Sequence, residues 1–160
     1  WGEKADPSYR EITSFQSYLG TGARPMMDTM AALTFHGLFQ RFPNVNEKAV
    51  EGGSVWVKDL LNQMDKAHLT GKGSKLAPQL PDWPSAILKE HLYVTPFVEE
   101  DVEEFADYYP IDRIILGSDY PHPEGLAHPT TFADKCQPLG TDATRAIMGD
   151  NLARLMGLWN

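Results

Sequence analysis

The stretch that most restricts the fold is IILGSDYPHPEG, residues Ile114–Gly125. Arg113–Leu116 reads as a short apolar strand that runs straight into a small-residue turn and an acid, Asp119. His122 follows, held between Pro121 and Pro123. An acid and a histidine at the C-terminal end of a buried strand stand where α/β proteins place their chemistry.

The rest of the chain supplies a frame for such a strand. Pro25 suits the first turn of a helix, and Met27, Met30, Ala31, Phe35, Leu38 and Phe42 give that helix one buried face, with Pro43-Asn44 ending it. Asn46–Glu51 predicts a first strand, centred on Lys48-Ala49-Val50-Glu51. Gly52-Gly53-Ser54 then turns the chain, with Ser54 as the expected cap of a second helix bearing Val57, Leu60, Leu61, Met64 and His68. Thr70–Trp83 is a Gly/Lys/Pro-rich connector without periodicity, and is expected to be the mobile excursion over a site. Pro84–Glu90 reads as a short helix and Leu92–Pro96 as a second strand. Glu99-Glu100-Asp101 are expected in the first turn of the next helix, where the dipole favours acids. Val102, Phe105, Ala106 and Tyr109 form its apolar stripe. After the third strand, Thr130–Lys135 reads as one turn. Thr141 is the expected cap of a last helix with Ile147, Met148, Leu152 and Leu155 inward, stopped by Gly157. Trp1–Arg24 reads as loop with at most one short helix.

Strands alternating with amphipathic helices predict an α/β fold of parallel strands joined by crossovers, in one domain spanning residues 1–160. Three strands are too few to close a barrel, which takes about eight. They also leave two unpaired edges.

Charge and composition exclude several function classes. With 22 Asp+Glu against 14 Lys+Arg and a formal charge of −8, neither a nucleic-acid backbone nor an anionic membrane is the expected partner. Cys136 is the single cysteine, so no internal disulfide forms and a zinc–thiolate site is not expected. No apolar run approaches the roughly 20 residues of a membrane span. The polar start lacks a signal-peptide core, which predicts a cytoplasmic protein. The first residue is not Met, so the chain is expected to begin inside a longer sequence.

Three groups are expected at the strand C-termini: Glu51, Thr95-Pro96-Phe97, and Asp119 with His122 and Glu124. A carboxylate at Asp119 suits a divalent metal and can take a proton from water. The alternative is an Asx-turn acid bonded to nearby amides. Glu51 reads as a ligand, a proton shuttle or a substrate contact, or as the partner of a basic side chain. His122 reads as a ligand or substrate contact, or as an exposed loop histidine. His36, His68, His91 and His128 read as structural, and Cys136 as a small buried residue and not a nucleophile. The acid run Glu99–Glu104 reads as a solvated helix start.

Gly117–Gly125 (GSDYPHPEG) resembles the amidohydrolase-related family, metal-dependent TIM-barrel proteins that include enzymes similar to aminocarboxymuconate-semialdehyde decarboxylase. Further segments agree in order. Phe35–Asn44 resembles the family's helix before strand six, Glu51–Trp56 its strand-six ending, and Tyr93–Phe97 its strand seven. Ile147–Asn151 with Leu155–Gly157 resembles its closing helix. The resemblance spans about Phe35 to Leu158. It implies that Asp119 is the metal ligand after strand eight and works with the ion in activating water. It places Glu51 where many members carry a histidine, and His122 at a variable position. The family's metal site begins with a His-x-His pair on strand one and a histidine on strand five, and no His-x-His occurs here. The resemblance therefore implies the C-terminal portion of a (β/α)8 TIM barrel, strands six to eight with their helices.

The expected function is that of a metal-dependent hydrolase acting on a small organic substrate, with Zn²⁺, or Mn or Fe, as cofactor. A decarboxylase of the same family is the first alternative. A non-catalytic chain completed by a partner is the second, either a homo-oligomer or a missing N-terminal half-barrel. A flavodoxin-like binding domain is a third reading, and Gly52-Gly53-Ser54 is too short a phosphate-cradling hint to carry it.

Overall fold

The computed structural model describes residues 13–16, 23–71, 79–120 and 125–158. Arg24–Phe35 forms helix α1 with Pro25 in its first turn. The predicted single helix through Phe42 does not form. His36 and Gly37 break it, Gly37 takes the left-handed conformation at φ 71°, and Leu38–Arg41 makes a separate turn, α2. A residue with no Cβ reaches that region without steric cost, and the break leaves Phe42 exposed.

Glu47–Ala49 is β1, inside the predicted first strand. Helix α3 runs Val55–Gly71, with Trp56, Val57, Leu60, Leu61 and Met64 buried. It consumes the start of the predicted connector; residues 72–78 lie outside the described ones. Pro84–His91 is α4. Asp65 of α3 caps it, accepting Ser85 N–H at 3.0 Å and Ser85 Oγ–H at 2.7 Å. His91 closes this helix, one residue beyond the predicted end at Glu90.

Leu92–Val94 is β2, and all three residues are buried. It pairs in parallel with β1 in the register Glu47↔Leu92, Lys48↔Tyr93, Ala49↔Val94. The predicted third strand shrinks to one parallel bridge, Val94↔Ile114, extended by Ile115 N–H to Val94 O at 3.0 Å. Arg113 belongs instead to a 3-10 turn, Ile111–Arg113. Its guanidinium bonds Glu90 O at 3.0 Å and covers the Tyr93 ring at 5.0 Å.

Val102–Ala106 is α5, and Asp101 is its cap, accepting both Glu103 N–H and Glu104 N–H at 3.0 Å. Glu99 and Glu100 thus stand before the helix and not in its first turn. After the bridge come α6, Phe132–Cys136, flanked by single 3-10 turns, and α7, Thr141–Arg145. Thr141 is not the cap; Gly140 holds that position at φ 90°. The predicted last helix is interrupted by a π-helical segment, Ala146–Asp150, before α8, Asn151–Leu155. The Ile147 carbonyl there accepts Leu116 N–H at 3.0 Å, which ties the chain leading to Asp119 onto the closing helix.

One core joins the layers. Ala49, Leu92, Val94 and Ile114 pack with Val57, Leu60, Leu61 and Met64 of α3, Ile87 and Leu88 of α4, Phe105 of α5, and Ile147. Parallel strands under helices fit the predicted α/β class. Among the described residues no helix is long and apolar enough to cross a membrane.

Candidate active site

The C-terminal ends of the parallel strands open into a cleft of about 220 Å³. Val50 and Glu51 come from the end of β1. Thr95 with the Phe97–Glu99 segment comes from the end of β2. Gly117, Ser118 and Asp119 follow the Ile114 bridge, and Gly125 and Leu126 close the side. The structure therefore brings Glu51 and Asp119, sixty-eight positions apart, to one cavity. His122 falls in residues 121–124, outside the described ones.

The two acids share an unusual backbone. Glu51 has φ 58° and Asp119 φ 52°, the only non-glycine residues among those described with positive φ. Left-handed geometry costs a side-chain-bearing residue on the order of 1 kcal/mol. It persists where the surroundings impose it, and such strain clusters at functional sites. Asp119 is half-buried and Glu51 exposed. The Asp119 loop is pinched at its base, where Leu126 N–H donates to Ser118 O at 2.8 Å.

Electrostatics distinguish the cleft from an ordinary loop cluster. Glu51, Glu99 and Asp119 line it, and no Lys, Arg or His stands among its described lining residues. Among the described residues Glu51 makes no ion pair, so the structure provides no basic partner for it. Three acidic residues along one cleft bias its field toward cations.

Thr95 adds a polar group whose state the sequence does not reveal. It is 3% exposed, and its Oγ1 has no hydrogen-bond partner among the described residues. A buried hydroxyl normally finds a partner, and an exception calls for a reason.

The four described histidines lie away from the cleft. His91 stacks on Phe39 at 4.4 Å and its Nδ1 meets Val45 O at 2.9 Å. His68 meets Trp83 edge-on at 5.9 Å. His36 follows α1, and His128 precedes a 3-10 turn. Cys136 is buried, and burial pushes its thiol pKa up, away from a reactive thiolate.

One residue was misread as a solvated helix acid. Glu100 Oε2 accepts Ser54 N–H at 2.7 Å, Ser54 Oγ–H at 2.6 Å and Phe97 N–H at 3.1 Å. Its partner is Ser54, in the Gly-Gly-Ser turn at the end of the neighbouring strand.

Comparisons with known proteins bear on the family and the fold. The profile of the family described as Amidohydrolase matches residues 14–158. The chain is similar to the crystal structure of the amidohydrolase map2389c from Mycobacterium avium subsp. paratuberculosis K-10. The TM-score is 0.80 at 32% identity, covering 91% of this chain and 36% of that one. It shares its fold with 5-carboxyvanillate decarboxylase LigW from Sphingomonas paucimobilis, at TM-score 0.66 and 22% identity, covering 80% of this chain and 38% of that one. The chain thus spans little more than a third of either structure's length. Among curated proteins none matches it. These neighbours imply a TIM-barrel-like α/β fold. With a family profile matched over residues 14–158 and the backbone of the Mycobacterium avium amidohydrolase followed over 91% of the present sequence at 32% identity, this chain belongs to the amidohydrolase family.

Proposed function

We propose that this chain is the C-terminal part of a cytoplasmic, metal-dependent amidohydrolase-family enzyme that hydrolyses a small organic substrate. The observation that carries the reading is the acidic cleft at the strand ends, lined by Glu51, Glu99 and Asp119 without a described basic side chain. In parallel barrels this face bears the chemistry. On this reading β1, β2 and the Ile114 bridge are strands six, seven and eight of a (β/α)8 barrel. The other strands come from residues preceding this chain or from a second chain.

The donors fit a divalent cation in part. Carboxylate oxygens suit Zn²⁺, Mn²⁺ or Fe²⁺. Among the described residues, however, no three His, Cys, Asp or Glu side chains are grouped to hold one. Asp119 is then one ligand of a site completed elsewhere in the barrel. When bound, the ion supplies Lewis-acid polarisation of a substrate oxygen. Asp119 also holds, at a carboxylate oxygen, the proton released by the attacking water. Glu51 orients polar groups of the substrate from the facing wall, with His122 at the mouth. Phe97 and Leu126 keep bulk water from the bound substrate.

Decarboxylation is the second reading; it rests on fold-level analogy, since LigW is named a decarboxylase. A non-catalytic chain that needs a partner is the third. Titrating the chain and its Asp119→Asn variant with Zn²⁺ tests the assignment. Asp119→Asn is expected to weaken Zn²⁺ uptake by at least about tenfold. Equal uptake by the two proteins, or none by either, overturns Asp119 as a ligand held by this chain.

A further inference from the structure

Two turns stand at the ends of β1 and β2, and a single carboxylate joins them. Ser54 lies three residues after Glu51, and it is only 3% exposed. Phe97 opens the Phe97–Glu99 wall of the cleft. Both backbone amides, and the Ser54 hydroxyl, donate to the same oxygen of Glu100. The space between the turns is filled to contact. Gly53 sits at φ 64°, and a Cβ there would meet the Glu100 carboxylate and lie 2.6 Å from the Phe97 ring. From the other side the Trp56 indole N–H donates to Gly52 O at 3.0 Å and Gly53 O at 2.9 Å.

We propose that Glu100 is a positioning residue: it holds the Glu51 turn and the Phe97–Glu99 wall as one unit, and so sets where the Glu51 carboxylate stands in the cleft. Charge-assisted bonds to one carboxylate are stronger than neutral ones. Without that acceptor, the buried Ser54 N–H and O–H must turn outward to find water. Glu51, three residues upstream in a left-handed conformation, moves with them. Because Glu51 contributes charge to the cation-attracting field, Glu100 governs the field without touching the ligand. This last step rests on the metal reading of the cleft; the joining of the two turns does not.

Hydrogen exchange of the whole 160-residue chain, read by mass spectrometry, tests the joining. In Glu100→Ala, amides 52–54 and 97–100 are expected to exchange about tenfold faster together, while α3 and α4 keep their protection. Zn²⁺ affinity measured on the same sample is expected to fall about tenfold. Glu100→Gln, which keeps an acceptor oxygen, restores part of both. A merely structural role would shift the melting midpoint and leave the metal affinity of the folded protein unchanged. Ser54→Ala removes one of the three donors and stands in if Glu100→Ala fails to fold. It should loosen both turns to a smaller extent. Loosening of one turn alone overturns the proposal, as does loosening of both with unchanged Zn²⁺ affinity. A wild-type chain that takes up no Zn²⁺, with the turns still loosening together, overturns the metal reading and leaves the joining of the turns standing.

Discussion

Along each strand the body and the end differ in kind. In the body, Leu92, Val94 and Ile114 are fully buried and pack against α3, α4 and α5. A few residues on, Glu51 and Asp119 hold positive φ angles and Thr95 buries a hydroxyl without a partner among the described residues. Residues in the body satisfy propensity, burial and hydrogen bonding together. Those at the end each depart from one of the three: Glu51 and Asp119 in backbone conformation, Thr95 in hydrogen bonding among the described residues. Such local conflict is tolerated where the rest of the fold supports it, and that is where sites are found. On the proposed reading, the same strands serve stability in one half and chemistry in the other.

The strongest test of that division sets a core residue against a cleft residue. Phe105 is 2% exposed, stacked on Tyr109 at 4.8 Å and meeting Tyr108 edge-on at 5.4 Å. Phe105→Ala should cost about 3–5 kcal/mol in urea unfolding. Asp119→Asn should change stability by less than about 1 kcal/mol, since Asn also tolerates the left-handed region. Comparable losses in the two variants would break the comparison.

Asn151 sharpens it from the entry side of the bridge. Its Nδ2 donates to Ile111 O at 2.7 Å and Ile114 O at 2.8 Å, and its Oδ1 accepts from Arg154 at 2.7 Å. Asn151→Ala leaves two carbonyls without that donor and should cost about 2 kcal/mol in the same assay. Here a buried polar side chain is fully partnered, unlike Thr95 at the far end.

Tyr109 offers a pH-dependent version. Its hydroxyl donates to Leu92 O at 2.8 Å. Burial drives its pKa well above the ordinary 10.0, and Arg113 opposes this only partly. The neutral form is therefore the one the fold favours. Its contribution is complete below the ordinary value and is lost as pH rises through and beyond it. Urea midpoints should fall with pH above about 10, by up to about 1.4 kcal/mol per pH unit from this group. Tyr109→Phe should remove that component and cost about 1 kcal/mol at neutral pH. An unchanged alkaline slope in Tyr109→Phe would assign the loss to other groups.

The strand bodies were legible because their signals are local. The Pro84 helix, the Leu92–Val94 strand and the caged Val57–Met64 stripe follow from spacing alone. Acids directly after short apolar strands also pointed to Glu51 and Asp119. The ends were less legible. Nothing in a Glu or Asp announces a positive φ. The dipole argument placed Glu99, Glu100 and Asp101 in a first turn that Glu103 and Glu104 occupy instead, and Glu100 finds its partner 46 residues away, at Ser54, where no local pattern records it. Apolar spacing continued smoothly across Gly37, where the backbone breaks. The π segment at Ala146–Asp150 was read as plain helix, because inward residues at Ile147 and Met148 suit either winding.

Thr95 gives the smallest expected effect and the sharpest sign. In the body of a strand, replacing a buried threonine by valine loses a hydrogen bond and destabilises by about 1 kcal/mol. Thr95 Oγ1 has no such bond among the described residues, so its desolvation is uncompensated. Thr95→Val keeps the shape, including the methyl packed toward Gly117, and removes only the hydroxyl. Unfolding should therefore show no loss, and a gain of up to about 1 kcal/mol. A loss of that size would mean that the hydroxyl is partnered in solution, and Thr95 would then belong with the strand body. A gain would mark it as a group kept at a cost to stability, as expected for the floor of a site.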